Sequence, residues 1–195
     1  MKTAQKLILK FEDVDNNDVG LVGGKNASLG EMIRELGKKG VRVPSGFIVT
    51  AESYRYFLRA TKLEKFIHDA LHGLNTSNLK DLARRGALIR NKIKNKEFPE
   101  NLTNEIIKGY RALEKRYGKN ADVAVRSSAT AEDLPGASFA GEHETYLGIR
   151  GTRELLPAVR AAMASLFTDR AISYRVDKGF DHFKVALSVG VQKMV

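Results

Sequence analysis

Cysteine is absent from the 195 residues, which removes disulfides, thiolate metal sites and cysteine nucleophiles from consideration. No apolar run approaches the roughly 20 residues that cross a bilayer. The opening MKTAQKLILKFED has a short apolar stretch. Acidic residues follow it directly and no small-residue cleavage site is present, so it does not read as an export signal. Internal repeats and low-complexity segments are lacking as well. The phosphate-loop pattern G-x-x-x-x-G-K-[ST] and the zinc pattern H-E-x-x-H are both missing. What remains is an ordinary globular composition, 43% apolar and 29% charged, long enough to bury a core as one domain or two small ones. A cytoplasmic protein is the expectation.

Acidic charge is in short supply. The formal net charge is +10, from 33 basic and 23 acidic residues, so an anionic partner has to be considered. The excess concentrates between Lys80 and Lys119, where twelve basic side chains meet five acidic ones. Solvated helix faces account for such a stretch. A nucleic-acid surface would interleave aromatics with the cations, and Phe98, Tyr110 and Tyr117 are the candidates there.

Hydrophobic periodicity outlines a mixed architecture. Lys6–Phe11 reads as an opening strand and Asp13–Asp18 as a polar turn. Leu29, Met32, Ile33 and Leu36 fall on one face of a helix, with Gly40 as its stop. VRVPSGFIVT reads as a buried strand entered through a Pro-Ser-Gly bend, and Thr50 as the cap of a helix carrying Tyr54, Phe57 and Leu58. Leu63–Tyr117 is helical, broken near Gly73–Ser77 and at Phe98–Glu100. Asp122–Val125 and Thr145–Ile149 read as strands on either side of a long stretch poor in apolar residues. Two helices follow, one striped by Leu155, Val159, Ala162 and Met163, the other around Ile172 and Tyr174. In KVALSVGVQKMV, Val185, Leu187, Val189 and Val191 alternate with small or polar residues, the period of a strand. A strand there needs a partner at its edge and a covering layer, so the expectation is that the chain stops inside a fold.

Two segments carry chemistry. Gly23-Gly24-Lys25-Asn26-Ala27-Ser28 places paired glycines before a helix N-terminus, where the backbone approaches a ligand closely and the first amides favour anions. Lys25 adds a mobile positive charge. The bland alternative is a glycine turn with an exposed lysine. In the second segment, Val125–Thr145, Arg126 sits at the expected end of a strand, and Ser127, Ser128 and Thr130 supply hydroxyls. An arginine fork matches two phosphate oxygens at once; pairing with Glu132 or Asp133 is the alternative. His143 and Glu144 read as polar wall residues, because a single histidine has no ligand spacing behind it. His68 and His72 stand four apart, and Asp69 occupies the position a zinc motif gives to Glu.

GGKNASLGEM, PSGFIVTAESYRYFL and VAVRSSATAEDLPGASFAGEHETYL, in that order and spacing, together resemble the phosphoenolpyruvate synthase (pyruvate, water dikinase) family. The likeness runs from Val19 to Val195 and is weakest from Leu63 to Lys119. Rifampicin phosphotransferases share both motifs almost as closely. Pyruvate, phosphate dikinases carry a different version of the arginine loop. One departure is Glu142-His143, where many relatives have Gln-Gln.

The resemblance implies an α+β, ATP-grasp-type nucleotide domain, with residues 1–195 forming its N-terminal part and the phosphohistidine and pyruvate-binding domains lying elsewhere. It implies that Lys25 and Arg126 hold the phosphates of ATP and that Gly141 and Thr145 line the phosphate side. Gln192, Met194 and Val195 would edge the adenine. It further implies ATP and Mg²⁺ as cofactors, with metal ligands beyond residue 195, and pyruvate as a partner of the longer enzyme. In that enzyme ATP phosphorylates a carrier histidine, which passes the phosphoryl group to pyruvate and yields phosphoenolpyruvate, AMP and phosphate. No catalytic residue is expected within this stretch, and none of His68, His72, His143 or His182 has the Gly/Thr-rich context of the carrier histidine.

Overall fold

A computed structural model of the chain describes residues 6–130, 133–134, 137–138 and 144–195. The chain opens with strand β1 (Ile8–Lys10) and two single 3-10 turns, Phe11–Asp13 and Asn16–Asp18. Asp15 starts the second turn with a capping box. Its carboxylate accepts the Asn17 amide at 2.8 Å, and Asp18 reaches back to the Asp15 amide at 3.0 Å. A one-turn helix, α1 (Val19–Val22), leads through Gly23 into α2 (Gly24–Lys38). α2 ends as expected: Gly40 takes φ +77°, and the Val41 amide returns to the Leu36 carbonyl at 3.0 Å.

β2 (Gly46–Val49) is shorter than the strand expected from VRVPSGFIVT, because Pro44 and its predecessors lie outside the ladder. Thr50 then caps α3 (Ala51–Ala60), its hydroxyl accepting the Ser53 amide at 3.2 Å. The expected helical stretch resolves into α4 (Leu63–Leu71), α5 (Leu79–Lys94) and α6 (Glu100–Tyr117). The breaks fall at Gly73, with φ +64°, and before Pro99. There follow β3 (Val123–Ala129), the short pair β4 (Asp133–Leu134) and β5 (Ala137–Ser138), β6 (Thr145–Ile149), α7 (Gly151–Ala164), α8 (Asp169–Asp177) and β7 (Leu187–Lys193).

Five strands form an antiparallel sheet in the order β1-β2-β7-β3-β6. The last strand is therefore central and hydrogen-bonded on both edges. The partners that its alternating pattern demands are β2 and β3 of this same chain, so that pattern is satisfied internally. Alternation sorts the two faces. Phe47, Val49, Val123, Val125, Val189 and Val191 point into the main core beneath α3–α8, where Phe57, Ile67, Ile89, Tyr110, Val159 and Phe167 are buried. On the opposite face Leu9 and Ile48 pack with Phe11, Val14, Val22, Ala27 and Ile33 under α2.

The core-facing side of α2 is Asn26, Ala27, Gly30 and Ile33; of the expected stripe Ile33 is buried, Leu29 and Leu36 are half-buried, and Met32 is 49% exposed. Gly30 admits close contact with the segment that precedes the helix: a Cβ there would sit 2.6 Å from the Val14 carbonyl oxygen.

Two consequences are measurable. Phe57 is fully buried and stacks edge-on against Phe98 at 4.7 Å between centroids; Phe57→Ala should cost about 3–5 kcal/mol in denaturant unfolding. His182 accepts a hydrogen bond at Nδ1 from Nε of buried Arg175 at 2.8 Å. Burial, helped by the Arg175 cation, lowers its pKa to about 4. An unfolded chain takes up that proton near pH 6.5, so acid favours unfolding. Stability should fall as pH drops from 6.5 toward 4, and thermal melts of His182→Gln should lose that part of the slope.

Candidate functional site

The face under α2 carries the site. Cross-strand register sets one row of residues side by side: Leu9, Ile48, Gly190, Arg126 and Thr145. At the β1 end the row is apolar and covered. At Gly190, α2 comes so close that a Cβ would stand 2.4 Å from Asn26 Oδ1. Past that point the row is open, and Arg126 and Thr145 are both exposed.

Arg126 was expected at a strand end, in a loop. It lies within β3, paired on one side with Gly190 and on the other with Thr145. The strand continues to Ala129 because Ser127 and Ser128 complete the ladder with β7 despite their polarity. Strand alternation turns Arg126 out and its neighbours Val125 and Ser127 in.

Lys25 arrives from the other direction. Gly23 has φ +74° and ψ 158°, a conformation that glycine adopts without strain. Its missing side chain also lets the turn touch the sheet, since a Cβ would sit 2.3 Å from Ser128 Oγ. Gly23 supplies no side-chain cap to α2, so the positive end of a 15-residue helix is presented at the turn. Lys25 and Arg126 consequently line one cleft of about 450 Å³. Ser28 adds a hydroxyl, and Leu29 and Met32 give it an apolar side. No carboxylate stands among the described lining residues. Two cations, glycine backbone and a helix N-terminus without acids make a site for an anion of phosphate type.

The remaining expected residues fall elsewhere. Thr145 is the neighbour of Arg126 across the ladder. Gly141 and His143 lie outside the described residues. Gln192 is on the same face one pair further along, beside Gly46 and Ala124, and its Nε2 donates to the Pro44 carbonyl at 3.1 Å. Met194 and Val195 line a second cleft of about 680 Å³ with Ile33, Gly37, Val41 and Pro44. Gly37 is twelve residues along α2 from Lys25, about 18 Å at the helical rise. One helix thus joins the two clefts.

Glu144 is a partner of the sheet. Its carbonyl accepts the Ser127 amide at 3.3 Å, and its carboxylate accepts the Tyr146 hydroxyl. His68 and His72 rings are 6.5 Å apart, and among the described residues no three His, Asp or Glu side chains form a metal-holding group. No helix is long and apolar enough to cross a membrane.

Within the basic stretch from Lys80 to Lys119 several side chains are engaged in structure. Arg85 donates to the Ala70 and His72 carbonyls, and Arg90 to the Phe167 carbonyl and Asp169. Tyr110 and Phe98 are buried, and the Tyr117 hydroxyl accepts the Ser45 amide at 3.0 Å. Bases would find no aromatic platform interleaved with those cations.

Residues 19–195 match the family described as pyruvate phosphate dikinase, AMP/ATP-binding domain. The chain belongs to that family. It is similar to the phosphoenolpyruvate synthase of Synechocystis, 56% identical over 194 residues, covering 97% of this chain and 24% of the relative. The phosphoenolpyruvate synthase of Aquifex aeolicus is 53% identical over 98% of this chain and 22% of its own length. That of Escherichia coli is 49% identical over 97% of this chain and 24% of its own. The chain therefore spans about a quarter of the length of the curated relatives it matches. None of the three relatives' names favours a rifampicin-type, dikinase-type or nucleic-acid reading. The chemistry of the cleft shared by Lys25 and Arg126 is compatible with a nucleotide phosphate.

A test follows for the glycine turn. Gly23→Ala places a side chain at positive φ and against Ser128, so the variant should lose about 1–3 kcal/mol of stability, read by chemical denaturation.

Proposed function

We propose that this chain is the nucleotide-binding part of a phosphoenolpyruvate synthase and that its fold is of ATP-grasp type. Residues 1–195 would be the N-terminal part of the ATP-binding domain. In the longer protein a phosphohistidine domain and a pyruvate-binding domain would complete the reaction of ATP, pyruvate and water to phosphoenolpyruvate, AMP and phosphate. The observation that carries this reading is the convergence of Lys25 and Arg126 on one cleft at the N-terminus of α2, with no acid among its described lining residues, within a chain matched to an AMP/ATP-binding family along residues 19–195.

The residues divide the work by their chemistry. Arg126, planar and anchored in a strand, binds two phosphate oxygens in a fixed direction. Lys25, on a longer flexible stem, follows charge along the phosphate chain. Thr145, next to Arg126, and Gly141 complete the phosphate side of the pocket. Gln192 and the backbone at Met194 and Val195 edge the base, with α2 spanning the distance between the two ends. ATP supplies the phosphoryl group; these residues hold and orient it. Phosphoryl transfer depends chiefly on such positioning and charge neutralisation. Mg²⁺ belongs to the proposal as the cation that accompanies ATP, and no described residue is assigned to it.

Calorimetric titration of ATP with Mg²⁺ into this chain tests the reading. Arg126→Ala should weaken binding by about 1.5–3 kcal/mol, the range for a charge-assisted hydrogen bond. Its melting temperature should hold, since the side chain is exposed. Equal affinity in wild type and variant would remove Arg126 from the site. A folded wild-type chain that takes up no ATP would count against the whole reading.

A further inference from the structure

Beneath the Gly23–Gly24 turn, three polar side chains are buried: Asn26 at 4% exposure, Ser128 at 1% and Ser188 at 0%. Ser128 on β3 and Ser188 on β7 are cross-strand partners. Both side chains rise from the same sheet face, directly under the turn. Asn26 Nδ2 donates to Ser188 Oγ at 2.9 Å, and the Ser188 hydroxyl donates to the Val22 carbonyl. A single hydroxyl thus grips the chain on both sides of the glycines, before them at Val22 and after them at Asn26. Asn26 Oδ1 occupies the space that Gly190 leaves by having no side chain. The Ser128 hydroxyl stands where a Gly23 side chain would be and has no hydrogen-bond partner among the described residues.

Burying such a trio is costly relative to an apolar filling of the same shape. Alanine at position 188 and a leucine at 26 would pack there without that desolvation. The polar arrangement differs from an apolar one in being directional: it fixes the angle and register at which α2 leaves the sheet. Gly190, against which Asn26 rests, is also the ladder partner of Arg126. The clamp and the arginine are therefore referenced to the same strand position.

From this geometry we infer that Ser188 and Asn26 are positioning residues, which hold the first turn of α2 against β3 and β7 so that Lys25 and Arg126 face one cleft. The inference rests on reading that cleft as a phosphate site. Ser188 is fully buried and lies off the cleft, while Asn26, 4% exposed, borders it; both are assigned to act through Lys25 and the turn amides.

Two measurements on this chain test it. The first needs no nucleotide. Amide hydrogen exchange at Gly23 and Ala27, whose amides donate to the Val19 and Gly23 carbonyls, should quicken about tenfold in Ser188→Ala, the size of one lost hydrogen bond, while Val125 and Val191 in the ladder keep their protection. Unchanged exchange at the turn, or an equal rise throughout the sheet, would overturn the clamp. The second is a cycle of MgATP titrations. Ser188→Ala alone should weaken binding about tenfold, but much less in a Lys25→Ala background, because the clamp then has no lysine to position. The same factor in both backgrounds would reduce the hydroxyl to a general support of the fold. Asn26→Leu, which keeps the branching of the side chain and removes its polar atoms, should repeat the pattern of Ser188→Ala. A wild-type chain that fails to bind MgATP would defeat the nucleotide reading, while the exchange comparison still decides the clamp.

Discussion

The architecture depends on how closely α2 can lie on the sheet. Two glycines set that distance. A side chain on Gly190 would strike Asn26, and one on Gly23 would strike Ser128. Removing these side chains brings helix and strand backbones together, and the small residues Asn26 and Ala27 complete the fit. Close approach has a chemical result. The helix N-terminus, with Lys25 on it, ends beside the strand that bears Arg126, and the cleft between them is lined by cations, a hydroxyl and two apolar side chains.

The sheet explains why this geometry is rigid. β7 sits at its centre, with ladders to β2 and β3 on its two edges. Its odd-numbered valines anchor the main core, while Ser188, Gly190 and Gln192 form the face toward α2. Core and site are thus two sides of one strand. The helices α3–α8 all pack on the core side and bury large residues such as Phe57, Ile89 and Tyr110. That leaves the other side to a thinner layer of small residues and backbone, where a ligand can reach the sheet.

Charge is distributed in two ways with different consequences. In α5 several basic side chains are tied to carbonyls and carboxylates, as with Arg85, Arg90 and the pair Arg84–Asp81 at 2.7 Å. There the excess is partly a structural feature of helix ends and helix–helix contacts. At the cleft, by contrast, Lys25 and Arg126 share a space with no described acidic lining residue. The same net charge that suggests a generic anionic partner becomes chemically specific at this cleft, where two cations meet at a helix N-terminus.

Much of this was legible in the residues. The strands at β1, β6 and β7, the cap at Thr50, the stop at Gly40 and the helical stretch through Tyr117 follow from local periodicity and turn chemistry, which act over a few residues. The motif string identified the family for the same reason, since a run such as RSSATAEDLPGASFAGEHET carries its information in order alone. Three matters were settled by tertiary contacts. β3 extends past Arg126 because Ser127 and Ser128 find ladder partners sixty residues away. The buried side of α2 runs through Asn26, Ala27, Gly30 and Ile33, because close approach to the sheet and to the segment before the helix selects small residues there. The convergence of Lys25 with Arg126, one hundred and one positions apart in the chain, exists only through the register of β7 between β2 and β3. Local sequence determined the elements and the ionic groups; long-range packing decided which of those groups meet.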